Sequence, residues 1–188
     1  MIGLGLVLAG TVIVMFAASQ AVDFGVFNLR FHWLDADRHL SIFGIASLLA
    51  QAATAAACVL HARVVMDRPR AWLALGLLLG VLIPIRALTA FNASVLAVPL
   101  ACVFALLFVL TWHSGTSRRI VWVALLLLAL SLLLHKVGLD ADSSTASDYT
   151  WSYQTLGIIK HGAELAGWIL AATGVAADIA AAPVSPER

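Results

Sequence analysis

Long apolar runs along the chain are broken by short polar ones. Six runs are long enough to cross a bilayer core of about 30 Å as helices, at about 1.5 Å per residue. They predict helices over about residues 2–22, 40–65, 71–88, 95–112, 120–135 and 151–177. The first run has no Lys or Arg ahead of it, so it is expected to be an uncleaved transmembrane helix, not a signal peptide. In the second, Ala46, Ala50, Thr54 and Cys58 recur every fourth residue, a small-residue seam suited to close helix contact. The third contains Gly76-Leu-Leu-Leu-Gly80 and then Pro84 and Arg86, which predict a kinked, hydrated helix end. The fifth is a Leu run expected to face lipid over most of its surface.

The polar stretches fall into two kinds. The turns near 62–70 and 113–119 are short and carry Arg63, Arg68, Arg70, Arg118 and Arg119. The connections 23–39 and 136–150 are longer and acidic on balance, with Asp23, Asp35, Asp37, Asp140, Asp142 and Asp148. Arg-rich turns stay on the cytoplasmic side. Six spans then put both termini in the cytoplasm and the long connections outside. Aromatic residues follow the same division. Trp72, Trp112 and Trp122 fall at the inner interface, and Trp33, Tyr149, Trp151 and Tyr153 at the outer one, where amphipathic rings settle.

Composition agrees with this reading. The chain is 62% hydrophobic and 11% charged, with mean hydropathy +1.00, whereas soluble domains carry about 25% charged residues. The expected fold is therefore all-α: one polytopic membrane helix bundle of about six transmembrane helices, in a bacterial inner membrane. Net charge is +1, which gives no electrostatic footprint for nucleic acid. The expected partners are the lipid bilayer and, through the small-residue seams, other membrane proteins or a second copy. Cys58 and Cys102 lie singly in apolar runs and read as small buried residues.

Against this background the last helix stands out. Lys160, His161 and Glu164 interrupt its apolar run. An ionisable group at the bilayer centre costs about 2.5–3.5 kcal/mol on insertion scales and is usually paired. Entering from outside, Lys160 and His161 reach a depth of roughly 10–12 Å and Glu164 roughly 16 Å. Gln51 on the second helix lies at the depth of Glu164, and Arg86 and His135 sit near the outer ends of theirs. Two readings follow. Lys160, His161 and Glu164 satisfy one another in a water-filled notch. Or they form an outward-facing polar pocket with Gln51, Arg86 and His135 that binds or conducts a small solute, an ion or a proton.

Other chemistries find less support. There is no Walker loop, no GxSxG elbow, no paired-Cys motif and no HExxH. A b-type haem needs two facing axial histidines, and only His161 is well inside the bilayer. No cofactor or metal is predicted; a zinc or other metal site from the outer histidines with Glu164 is a weaker alternative, and an intramembrane metal-dependent hydrolase ranks behind a pocket or a non-catalytic subunit. His61 and His113 are expected at cytoplasmic helix ends.

The stretch Leu34-Asp35-Ala-Asp-Arg-His-Leu-Ser-Ile-Phe-Gly-Ile-Ala-Ser-Leu-Leu-Ala50 and the step Glu164-Leu-Ala-Gly-Trp168 resemble a pattern in small uncharacterised bacterial multi-pass membrane proteins. That pattern ends its third helix in acidic residues and a histidine, whereas this chain has Pro84-Ile-Arg86-Ala. The resemblance implies a multi-pass helical fold and brings no activity with it.

Overall fold

The computed structural model describes residues 2–27, 33, 41–65, 67–88, 93–141 and 151–182. Most of the polar connection at 23–39, the loop near 89–92, residues 142–150 and the tail lie outside the described residues. Those described form six α-helices with no strand among them: α1 (Ile2–Phe27), α2 (Ile42–Val64), α3 (Pro69–Leu88), α4 (Ala93–Thr111), α5 (Gly115–Ala141) and α6 (Trp151–Ala181).

Five of these are long and apolar enough to cross a membrane; in α4 the described apolar stretch is Val98–Thr111. Three helices outrun their apolar cores. α1 continues through Asp23 and Phe24, expected in a connection, because Gln20 and Asp23 turn inward and are buried. α5 continues to Ala141, into the expected solvated loop. α6 extends past Asp178, beyond its expected end near 177.

Local signals set the helix starts. The Ser41 hydroxyl accepts the Gly44 N–H at 3.1 Å and caps α2. Pro69 opens α3, where its missing N–H costs nothing. The residue before it, Arg68, takes φ 47°, so the turn is made by a non-glycine residue in the left-handed region.

α6 is the centre of the bundle. Its span is 56% buried, against 17–33% for the other four. It packs on α1, α2 and α5, while α3 packs on α2 and α4 bridges α3 and α5. Small residues permit this. A Cβ on Gly167 would lie 2.6 Å from Leu128 Cγ and 3.1 Å from the Ala124 carbonyl; one on Gly174 would lie 2.6 Å from Val121. α5 and α6 thus touch almost backbone to backbone. The Leu-rich α5 exposes Leu126 and Leu133 but buries Val121, Ala124, Leu128 and Ser131 as one stripe against α6. Of the Gly76/Gly80 pair, only Gly76 is used: it meets Val59 and the Ala55 carbonyl on α2, while Gly80 faces open space.

Contacts also give helix directions. Ser47 meets Glu164, Thr54 meets the Trp168 carbonyl and His61 meets Asp178, so α2 and α6 run parallel. Gly5 beside Thr173 and Phe16 beside Gly162 make α1 antiparallel to α6. Large apolar side chains such as Leu4, Val7, Val14, Leu77, Val81 and Leu126 cover the outside. So extensive an apolar exterior is that of a membrane protein.

The packing predicts opposite outcomes at two glycines. Gly167→Ala should destabilise the protein by about 1–3 kcal/mol through overpacking. Gly80→Ala should be neutral or stabilising by up to about 1 kcal/mol, since alanine is the better helix former. Thermal melts in detergent, followed by circular dichroism, compare them; equal melting temperatures would contradict the close α5–α6 contact.

Candidate functional site

Among the described residues, two polar clusters form against α6, one near its middle and one near its C-terminus. The first centres on Glu164, buried at 6% exposure. A carboxylate there needs compensating charge and hydrogen bonds, since burial strips its water. Both come from neighbouring helices. Arg86 on α3 forms an ion pair with Glu164 Oε1 through its Nη2. Its Nη1 donates to Gln51 Oε1 at 3.3 Å. The Ser47 hydroxyl, one turn before Gln51 on α2, donates to Glu164 Oε1 at 3.0 Å. Three helices are therefore tied at one carboxylate.

The other face of Glu164 meets histidines. His161 Nδ1 lies 3.9 Å from Oε2. The His135 ring on α5 stands edge-on to His161, with centroids 5.4 Å apart. His135 Nδ1 lies 2.9 Å from the Ser131 carbonyl. A carbonyl only accepts, so Nδ1 carries the proton and, in the neutral ring, Nε2 carries the lone pair. His161 is walled on a further side by Phe16, itself packed on Phe43.

Of the six residues singled out from sequence, Gln51, Arg86 and Glu164 are directly linked, and His135 and His161 adjoin them. Lys160 is half-buried one turn earlier on α6 and lies within electrostatic reach of His135. The strong cation at Glu164 is Arg86, from another helix. Ser47 and Ser131 were missed. Each lies four residues before a predicted site residue, on the same helix face, and that spacing was the available signal.

A cavity opens beside the ion pair. Leu82 and Arg86, Leu100 and Phe104, and Leu128, Ser131 and Leu132 wall it with Gln51, Glu164 and Trp168. It has room for about one water or an ion of similar size.

The second cluster lies near the other end of α6. Asp178 Oδ2 is 2.9 Å from His61 Nε2. Its Oδ1 accepts from Ser114, just before α5, and from Ser117 in its first turn, which also contact each other. His61 was expected at a cytoplasmic helix end; it is 1% exposed and stacked on Trp72, with ring centroids 4.1 Å apart. Trp72, expected as an interface anchor, is likewise buried in this stack. Trp112 and Trp122 do cluster at the α4–α5 turn, with Arg118 over the Trp122 ring.

No family model matches the chain, and neither the curated proteins nor the solved structures contain a significant match. Function must therefore be argued from these residues alone.

Breaking a buried ion pair by removing one partner costs about 3–5 kcal/mol, because the remaining charge is stranded. Arg86→Met and Glu164→Leu should each destabilise by that amount. The double variant should lose much less than their sum. Additive losses in detergent melts would refute a direct coupling.

Proposed function

We propose that this is a multi-pass inner-membrane protein whose Glu164 pocket opens outward and binds a water-sized polar species: a proton, or a small ion with its water. The observation that carries this reading is the cavity of about one water placed against the Arg86–Glu164 pair. Buried ionisable groups within a membrane span are retained at a cost and mark ion or proton sites by default.

The charge pattern supports the orientation. Arg63, Arg68, Arg70 and Arg119 are exposed near the Asp178 end of the bundle, which the positive-inside rule assigns to the cytoplasm. Glu164 and the two histidines then belong to the outer half, and both chain ends to the cytoplasm. Binding is favoured over conduction by what lies beneath. Trp168 is 2% exposed and Leu128 is equally buried, so the cavity floor is apolar. Infrared difference spectra of the reconstituted protein on acidification test this reading. A protonated-carboxyl band should appear and vanish in Glu164→Gln. A band unchanged by that substitution, or none in the wild type, would remove Glu164 as a proton acceptor.

A second reading, a non-catalytic subunit or scaffold, is favoured by one feature of α1. Its span is 17% buried, and Gly3 and Gly10 face open space, which leaves a small-residue surface for another helix. Gly10→Cys, in a chain with Cys58 and Cys102 replaced by alanine, should form a disulfide-linked dimer on mild oxidation in membranes. A chain that stays monomeric would count against self-association along this face.

A further inference from the structure

Among the described residues, His135, His161 and Glu164 bring one ligand atom each to within 4.8 Å of one another. They come from two helices, α5 and α6, which is why no spacing motif announces them. We propose that these three side chains bind a divalent transition-metal ion of the zinc class, on the face of Glu164 turned away from Arg86.

Four features support the assignment. The donor set is two imidazoles and one carboxylate, the three-ligand composition of open zinc sites. His135 gives its Nδ1 proton to the Ser131 carbonyl at 2.9 Å. A backbone carbonyl behind the ring is the usual outer partner of a metal-bound histidine, because it fixes the tautomer and directs the lone pair of the other nitrogen. Glu164 divides its oxygens: Oε1 is taken by Arg86 and Ser47, while Oε2 faces His161. Finally, both histidines are only partly buried, which leaves an entry path, while Phe16 supplies an apolar wall.

The spacing requires a modest closure. Ligand atoms around a tetrahedral zinc lie about 3.3 Å apart, given bonds of about 2.0–2.1 Å. The present separations exceed that by up to about 1.5 Å, which small rotations of the His161 and Glu164 side chains can supply. Charge sets the affinity. Arg86 pairs with the same carboxylate, and Lys160 acts on His135. Both oppose a dication, so a fourth ligand that brings negative charge, such as hydroxide or halide, completes the site. No hydrolytic step is assigned to it.

The inference goes beyond the proton reading and is tested separately from it. Full-length, tag-free protein in detergent is stripped with a chelator and titrated with Co²⁺. A tetrahedral d–d absorption band saturating at one Co²⁺ per chain is expected. His135→Gln and His161→Gln should abolish it while eluting from size exclusion as the wild type does. His113→Gln should leave it unchanged, and Lys160→Met should shift the titration to lower Co²⁺. No band at excess Co²⁺ in the wild type would overturn the site. So would a band that survives both histidine substitutions, or one lost with His113. If either histidine variant fails to fold, Lys160→Met decides: a titration unmoved by removing that charge places the metal elsewhere. A Glu164 carboxyl band without Co²⁺ binding would keep the proton site and discard the metal.

Discussion

A carboxylate in the middle of an apolar helix is the constraint on which this bundle depends. Glu164 can stay ionised there only if other helices deliver its partners. Arg86 reaches it from α3, Ser47 from α2, and Gln51 holds the far side of the guanidinium. In lipid, helices gain little from burying apolar surface against each other, since hydrocarbon surrounds them anyway. A hydrogen-bonded ion pair is therefore a stronger source of specificity here than the Leu and Val that surround it. It fixes which helices meet α6 and at what height.

The second polar cluster makes that height unambiguous. Ser47–Glu164 and His61–Asp178 join residues with the same sequence offset, 117. α2 and α6 are thus parallel and pinned at two levels without slip. Between the pins, Thr54 donates to the Trp168 carbonyl at 3.2 Å. Apolar seams tolerate sliding by a turn at modest cost; two polar pins do not, because a slip would strand both Glu164 and Asp178. The glycines of α6 have the complementary role. Gly167 and Gly174 admit α5 closely enough that His135 can stand beside His161.

Much of this was legible in the sequence, and the exceptions share a cause. Hydropathy exposed the helices, because about 20 apolar residues in a row have few other uses. Depth counting put Gln51 level with Glu164, because helical rise is uniform, and left Arg86 and His135 nearer the outer ends of their helices. What was left open was partner choice. Lys160, four residues from Glu164, was the natural local partner, yet Arg86 from another helix forms the pair with Glu164. Rise per residue gives height but not azimuth, so it cannot say which faces meet. His61 does lie in the last turn of α2 and Trp72 near the start of α3, but both faces turn inward: His61 meets Asp178, and Trp72 stacks on His61. Asp23 drew α1 onward past Val22 for the same reason: a charge that turns inward does not end a helix.

The two oxygens of Glu164 explain how one residue can serve two neighbourhoods. Oε1 belongs to the interior, where Arg86 and Ser47 neutralise and orient it. Oε2 faces His161. A carboxylate satisfied on one oxygen is oriented by it, while the other keeps its lone pairs for a mobile charge. Were Lys160 the principal partner, the cation would come from the same helix as the acid, and no second helix would be needed to hold it. Delivering the counter-charge from α3 moves it to the opposite face, so the arginine stabilises Glu164 without closing the approach to His161. On this view the ion pair supports two approaches to Glu164: the cavity beside Arg86 and Gln51, where a proton or small ion would bind, and the His161–His135 side, where a metal ion would.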